Sequence, residues 1–275
     1  MRFQSAPFVF LSFGVFFGNV LGCVSPVPAS SPILISTPAP VQTPPPVVSP
    51  AQAKISTSAP LSLIIDAAAK SSCAAYDWKN RGHAPNAYVK GVALVYAKAL
   101  CQQGRSDLAI VTRAGLGDPS TDALAWYGIP SGNRLRQVYT LLLGLGMRES
   151  GGRYCCGRDM SANFSSADSA EAGVFQTSWG ARRSSGELAK LFAKYQASES
   201  GCLLDVFKEG IPCSAGNLKN WGDPSSDGFK WQALTKRCPA FATEYAAILI
   251  RVLGGTRGEF GPLRKKAAEI RPECD

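Results

Sequence analysis

The sequence predicts a mainly α-helical domain braced by disulfides, preceded by a signal peptide and a proline-rich linker. Three observations predict it. Apolar residues recur at helical spacing through the second half of the chain, eight cysteines follow an apolar N-terminal run, and proline is concentrated between that run and the first helical pattern. The 275 residues, 45% hydrophobic and 18% charged, have the overall composition of a globular protein, but the ends are built differently from the middle.

Met1 and Arg2 give a positive start, and Phe8 to Leu21 is apolar apart from Ser12 and Asn19. Fourteen residues are too few to span a bilayer as a helix and suit the apolar region of a secretory signal. The run ends in Val20-Leu21-Gly22-Cys23, which resembles a bacterial lipobox, so residues 1–23 read as an export signal with Cys23 as the lipidated residue. A plain signal peptide that discards Cys23 is the alternative. Residues 24–60 hold ten of the 19 prolines, no acidic residue and only Lys54 as a charge. Such a stretch makes neither a hydrogen-bonded ladder nor a core and is expected to be an extended tether.

Residues 61–275 then form one domain, long enough for a sizeable core. Setting aside Arg2 and Lys54 leaves 27 basic against 20 acidic side chains, a balance suited to anionic partners such as cell-wall polymer. The basic residues are dispersed and form no nucleic-acid motif. The single histidine, His83, excludes a multi-histidine metal site from one chain, and no cofactor motif occurs. His83 itself, before Ala84-Pro85, reads as structural or exposed.

Without Cys23 the cysteines are Cys73, Cys101, Cys155, Cys156, Cys202, Cys213, Cys238 and Cys274. An even set behind an export signal predicts four disulfides, with adjacent Cys155 and Cys156 taking different partners. Cys202–Cys213 and Cys238–Cys274 are plausible local closures. Helical periodicity covers Pro85–Gln103, ending at Gly104, then Ser131–Glu149. A third run opens at Pro239, with Phe241, Tyr245, Ile248, Leu249 and Val252 on one face before Gly254-Gly255. Gly186–Phe207 and Leu263–Ile270 are weaker helical patterns. No hairpin signal flanked by alternating strands is found.

Within Ser131–Glu149, Leu135, Val138, Leu142, Leu145 and Glu149 step by three and four, so Glu149 stands at the edge of an apolar stripe in the last turn. Desolvation and the negative end of the helix dipole both favour its neutral form. A carboxylic acid kept protonated is what glycosidic cleavage needs as a proton donor. The plain alternative is a Glu at a solvated helix end, paired with Arg148 or Arg153.

The surrounding text is Met147-Arg148-Glu149-Ser150-Gly151-Gly152-Arg153-Tyr154, followed by Ala172-Gly173-Val174-Phe175-Gln176-Thr177-Ser178-Trp179. It resembles the lysozyme-like superfamily of soluble lytic transglycosylases and goose-type lysozymes, over about residues 130–265. There a helix ends in the catalytic Glu followed by Ser, and a Gly-aliphatic-aromatic-Gln segment lines the groove. The resemblance implies a lysozyme-like fold and cleavage of the β-1,4 bond between N-acetylmuramic acid and N-acetylglucosamine, with Glu149 as general acid and base. It also implies that Phe175 and Gln176 line the groove and favours Ser150 as orienting the carboxyl, the alternative being that Ser150 satisfies the helix end. Trp179 and Tyr154 could stack on sugar faces, with a Trp179 buried in the core as the equal alternative, and Tyr245 answers to a tyrosine near the acid. Departures are the long loop Cys155–Ala172 and the Ala-Ala-Ile after Tyr245, which suggest a divergent branch. An inverting hydrolase would need a second carboxylate. By position Asp168 is the first candidate, with Glu171 and Asp159 behind it, and loop capping or pairing with Arg153 or Arg158 is the alternative for each. The expected partners are peptidoglycan strands and, through Cys23, a membrane. A non-catalytic peptidoglycan-binding lipoprotein is the second reading, and a chitosanase, whose polycationic substrate suits a basic domain poorly, is third.

Overall fold

A computed structural model describes residues 61–78, 81–102, 104–112, 134–157 and 166–253. The expected export signal with Cys23, the expected tether, Arg158, Asp159, the pattern at Leu263–Ile270 and Cys274 lie outside the described residues. Those described all fall within one compact unit, Thr57–Asp275.

The domain is mainly helical, as the periodicity predicts. Helices α1 (Leu61–Ala69) and α2 (Ser72–Ala75) lead into an antiparallel pair, β1 (Asp77–Trp78) and β2 (Gly82–His83). Helices α3 (Asn86–Cys101), α4 (Ser106–Thr112) and α5 (Arg134–Ser150) follow. A second antiparallel pair, β3 (Glu171–Ala172) and β4 (Thr177–Ser178), runs into a 3-10 helix, Trp179–Ser184. The chain continues through α6 (Gly186–Ala197), α7 (Leu204–Phe207), α8 (Ala215–Leu218), α9 (Asp227–Arg237) and α10 (Pro239–Val252). The expected absence of hairpins is corrected twice. Strands of two residues are too short to alternate, so period-2 patterning has no length in which to show. Gly186–Phe207 is likewise two helices, broken at Ser198–Leu203.

Helix α10 departs from expectation in a way that organises the fold. One apolar face is predicted, yet every residue from Pro239 to Arg251 is buried. Alanines at 240, 242, 246 and 247 keep it thin, so α3, α4, α5, α6 and α9 all pack against it. A helix surrounded in this way must also pair its charges. Glu244, 2% exposed, receives Arg105 in a fork, Nη1 to Oε1 at 3.1 Å and Nη2 to Oε2 at 2.7 Å. Arg105 also holds Asp107, with Nε to Oδ1 at 3.0 Å, and Lys98 Nζ lies 3.7 Å from Glu244 Oε1. Burial pulls the Lys98 pKa below its usual range, and Nζ donates to the Tyr195 hydroxyl at 2.8 Å.

Two disulfides are described, Cys155–Cys213 and Cys202–Cys238, which replace the expected Cys202–Cys213 and Cys238–Cys274. Closeness in sequence misleads because loop-closure cost changes slowly with length. The fold decides instead. The Ala240 N–H donates to the Cys202 carbonyl at 3.1 Å, setting Cys202 beside the start of α10, where Cys238 stands. Cys73 is also disulfide-bonded, to a residue outside those described. Cys101 and Cys156 carry thiols, so the four-bridge expectation is corrected too. By chain entropy the loops of 58 and 36 residues each contribute on the order of 4 kcal/mol. Such bridges fit an exported protein. Among the described residues no helix is long and apolar enough to cross a membrane.

Helix α5 meets α3 through one contact that glycine permits. The Tyr88 hydroxyl donates to the Leu142 carbonyl at 2.7 Å, and a Cβ at Gly146 would overlap that hydroxyl. Alanine is ordinarily better than glycine in a helix by about 1 kcal/mol. Here the overlap reverses the sign, and Gly146→Ala is expected to cost about 1–3 kcal/mol in urea denaturation. Tyr88→Phe, which removes the obstructing oxygen, should recover part of that loss in a double-mutant cycle. Additive effects would refute the contact.

Candidate active site

The site is built on the end of α5. Leu135, Val138, Leu142 and Leu145 of the predicted stripe are all buried, and Glu149, the fifth member, is half-buried in the last turn. Gly151 and Gly152 then terminate the helix in the left-handed region, with φ of +64° and +73°. Their N–H groups return to the Met147 and Gly146 carbonyls, each at 3.1 Å. A side chain at Gly152 would put a Cβ 2.8 Å from the Tyr88 ring. Tyr88 is thus wedged beneath the helix end that carries Glu149.

Ser150 joins this end to the second motif. Its Oγ lies 2.7 Å from the Val174 carbonyl and 3.1 Å from the Gly146 carbonyl, and it accepts the Arg153 N–H at 3.2 Å. One hydroxyl proton serves the shorter bond, so the Glu-Ser pair and the Gly173–Gln176 segment meet although 24 residues separate them. That segment is the loop of the β3–β4 hairpin. Gly173, at φ +79°, lies against Thr235, and its N–H donates to the Cys156 carbonyl at 2.9 Å. Gln176 adopts φ +44°, rare for a residue with a side chain, and its Nε2 donates back to the Gly173 carbonyl at 2.8 Å. Strain held this way at a loop tip is a feature of functional positions.

The other predicted residues divide. Phe175 is 2% exposed and packs on Tyr88 with ring centroids 6.4 Å apart, so it supports the loop from below. Tyr245 is fully buried, and its hydroxyl donates to the Ser178 carbonyl at 3.1 Å. Burial raises its pKa beyond the usual tyrosine range. Trp179 is buried between Phe192, 4.4 Å between centroids, and the Arg182 guanidinium, 4.4 Å over its ring. Arg182 also holds Asp168, Nη1 to Oδ2 at 2.9 Å, and the Asp168 carbonyl accepts the Gly180 N–H at 2.7 Å. Asp168 therefore pairs with Arg182 rather than Arg153, and Arg158 lies outside the described residues. Glu171 and Tyr154 are half-buried. His83 is exposed and donates from Nδ1 to the Tyr76 carbonyl at 3.1 Å.

Three supporting residues escaped the sequence reading. Tyr88 contacts both motifs, and the signal available was the run Gly144-Leu-Gly146, which leaves a notch on α5. Arg81, at the turn of the first hairpin, donates from Nη2 to the Arg148 carbonyl at 2.8 Å. Lys236, 3% exposed, donates to the carbonyls of Asn217, Leu218 and Lys219 at 3.1, 3.1 and 2.8 Å, closing the end of α8. Asn217 in turn backs onto Gly157, beside the Cys155–Cys213 bridge.

Two cavities, of about 420 and 210 Å³, both border Arg105, and neither is lined by Glu149, Ser150 or Gly173–Gln176. Among the described residues no three His, Cys, Asp or Glu side chains gather as a metal site. No protein-family model matches the chain, and neither does any curated protein or solved structure.

Ser150→Ala strands the Val174 carbonyl and is expected to cost about 1–2 kcal/mol in chemical denaturation. An unchanged midpoint would mean that the hairpin is held elsewhere. Lys236 gives a pH signature. Burial pushes its amine down to about 8 from an ordinary 10.5. Below pH 8 it is charged whether the chain is folded or unfolded, and the cost of burying that charge is fully present. Between 8 and 10.5 only the unfolded chain holds the proton, so stability rises with pH. Relative to Lys236→Met, the native protein should gain a few kcal/mol of unfolding free energy between pH 7.5 and 10. A constant difference would refute the assignment.

Proposed function

We propose that the chain is an exported peptidoglycan-cleaving glycosidase of lysozyme-like fold, a lytic transglycosylase or muramidase, with Glu149 as its acid and base. The observation that carries this reading is the Ser150–Val174 hydrogen bond. It unites the Glu149-Ser150 pair with the Gly173-Val174-Phe175-Gln176 loop, as a shared substrate site requires. The reading is supported further by the half-buried position of Glu149 at the end of an apolar stripe, by the strained Gln176 and by the disulfides.

In this mechanism the Glu149 carboxylic acid protonates the glycosidic oxygen between the two sugars as the C1–O bond breaks and positive charge develops at the muramic acid carbon. The carboxylate so formed then takes a proton from the nucleophile. In a transglycosylase that nucleophile is the 6-hydroxyl of the same sugar, which closes a 1,6-anhydro ring, and in a hydrolase it is water. The Arg182 partnership of Asp168 favours the first, because it commits the carboxylate best placed by sequence to activate water. Ser150 and the Gln176 amide would orient acid and substrate, while Phe175, Trp179 and Tyr245 support the loop from within. Lipidation at Cys23 would hold the domain at a membrane, with the tether giving reach into the wall.

The test is incubation of the native chain and Glu149→Gln with purified peptidoglycan, with mass spectrometry of the released fragments. Products ending in 1,6-anhydromuramic acid, lost with Glu149→Gln, are expected. Reducing ends would assign a hydrolase. No release by the native chain, with binding retained, would replace the enzyme by a peptidoglycan-binding lipoprotein.

A further inference from the structure

The end of α5 carries more positive charge than its own stability needs. Arg148 lies in the last turn, beside Glu149, and Arg153 follows on the loop whose backbone Ser150 holds. The third, Arg81, comes from another part of the chain. Its N–H donates to the Trp78 carbonyl at 2.7 Å, fixing the turn between β1 and β2, and its guanidinium reaches the Arg148 carbonyl. Three guanidinium-bearing residues therefore belong to one helix end.

One cation would satisfy the helix dipole and the last carbonyls. Three arginines elsewhere among the described residues are matched by carboxylates: Arg105 by Asp107 and Glu244, Arg182 by Asp168, and Arg237 by Glu199. Arg81 and Arg153, both exposed, have no carboxylate partner among the described residues. A guanidinium carries five N–H donors, and Arg81 spends one on Arg148, so the remainder face water. Unmatched guanidinium groups beside a candidate catalytic acid form a receptor for planar anions, which they bind in forked pairs.

We infer that Arg81 and Arg153 form a carboxylate-recognising rim, selecting glycan whose sugars bear carboxylates over neutral glycan. The inference rests on the glycosidase reading and extends it. In peptidoglycan every second sugar bears carboxylates, on its peptide stem or, where the stem is absent, on its lactyl group, and chitin has none. Arg81 also makes the first hairpin a wall of the site, which gives the N-terminal part of the domain a role in substrate choice.

The experiment measures binding and cleavage separately. Glu149→Gln, alone and combined with Arg81→Gln and Arg153→Gln, is titrated with soluble glycan strands, native or with their carboxylates converted to methylamides, and with chitohexaose. The arginine substitutions are expected to weaken binding to native strands about tenfold and to leave amidated strands and chitohexaose unchanged. In the chain retaining Glu149 they should raise KM with kcat near its native value, and Arg81→Lys should restore part of the loss. Equal weakening on native and amidated strands would make the arginines structural and overturn the inference, and so would unchanged binding to native strands. Failure of the glycosidase reading appears differently, as no product from the native chain on any glycan, while the titrations still report the rim.

Discussion

Glu244 sits on a helix buried on every side, and the rest of the domain is arranged around meeting its charge. An isolated carboxylate there would cost several kcal/mol, more than most domains hold in reserve. The answer is spread over three elements. Lys98 comes from the last turn of α3, Arg105 from the link into α4, and Tyr195, which accepts a hydrogen bond from Lys98, from α6. Because Arg105 reaches Glu244 and Asp107 in forked geometry, the start of α4 is held against α10. The same helix carries Tyr245, one residue on, whose hydroxyl fixes the Ser178 carbonyl at the end of β4. Core electrostatics and the position of the site hairpin are thus set by neighbouring residues of α10.

The site is a junction between segments that are individually weak. Two-residue strands and a helix terminus have few intrinsic interactions to hold a geometry. Rigidity is supplied from outside: Tyr88 beneath the helix end and the loop, Ser150 between them, Thr235 against Gly173, and Tyr245 behind β4. The glycines at 146, 152 and 173 are sites of close approach, so the glycine-rich text around Glu149 reports packing as much as helix ending.

How much of this was legible follows from how local each cause is. The α3, α5 and α10 helices were readable because a period near 3.6 persists over fourteen or more residues, and the Glu149 position followed from the same count. The burial of α10 on all sides was not, because Glu244 and Arg251 look like a solvated face until Arg105 is known to be near. Asp168 was singled out by its distance from Gly173, but its partner lies fourteen residues away. Tyr245 was found by analogy of position, and its contact with Ser178 spans 67 residues. Disulfide pairing failed for the same reason, since Cys202 and Cys238 are joined by the docking of α10 and not by any spacing.

The region following Glu149 shows how a disulfide-bonded domain ties down chain that its core does not reach. Cys155 bonds Cys213, the Cys156 carbonyl receives the Gly173 N–H, Gly157 lies on Asn217, and Lys236 gathers the carbonyls of Asn217, Leu218 and Lys219. None of these ties buries much apolar surface. A covalent bridge and a buried ammonium do what side-chain packing does elsewhere, and both act at points rather than over faces. Segments fixed at points can carry polar, solvent-facing residues between the ties, as the proposed contact with a hydrated polymer requires. The arginines at the end of α5 follow the same logic. Their backbone positions are fixed, by Ser150 at Arg153 and by the first hairpin's turn at Arg81, while their charges stay in water. A charge held in place but still hydrated loses little on meeting a carboxylate, and the fit of the two planar groups then decides which ligand is preferred.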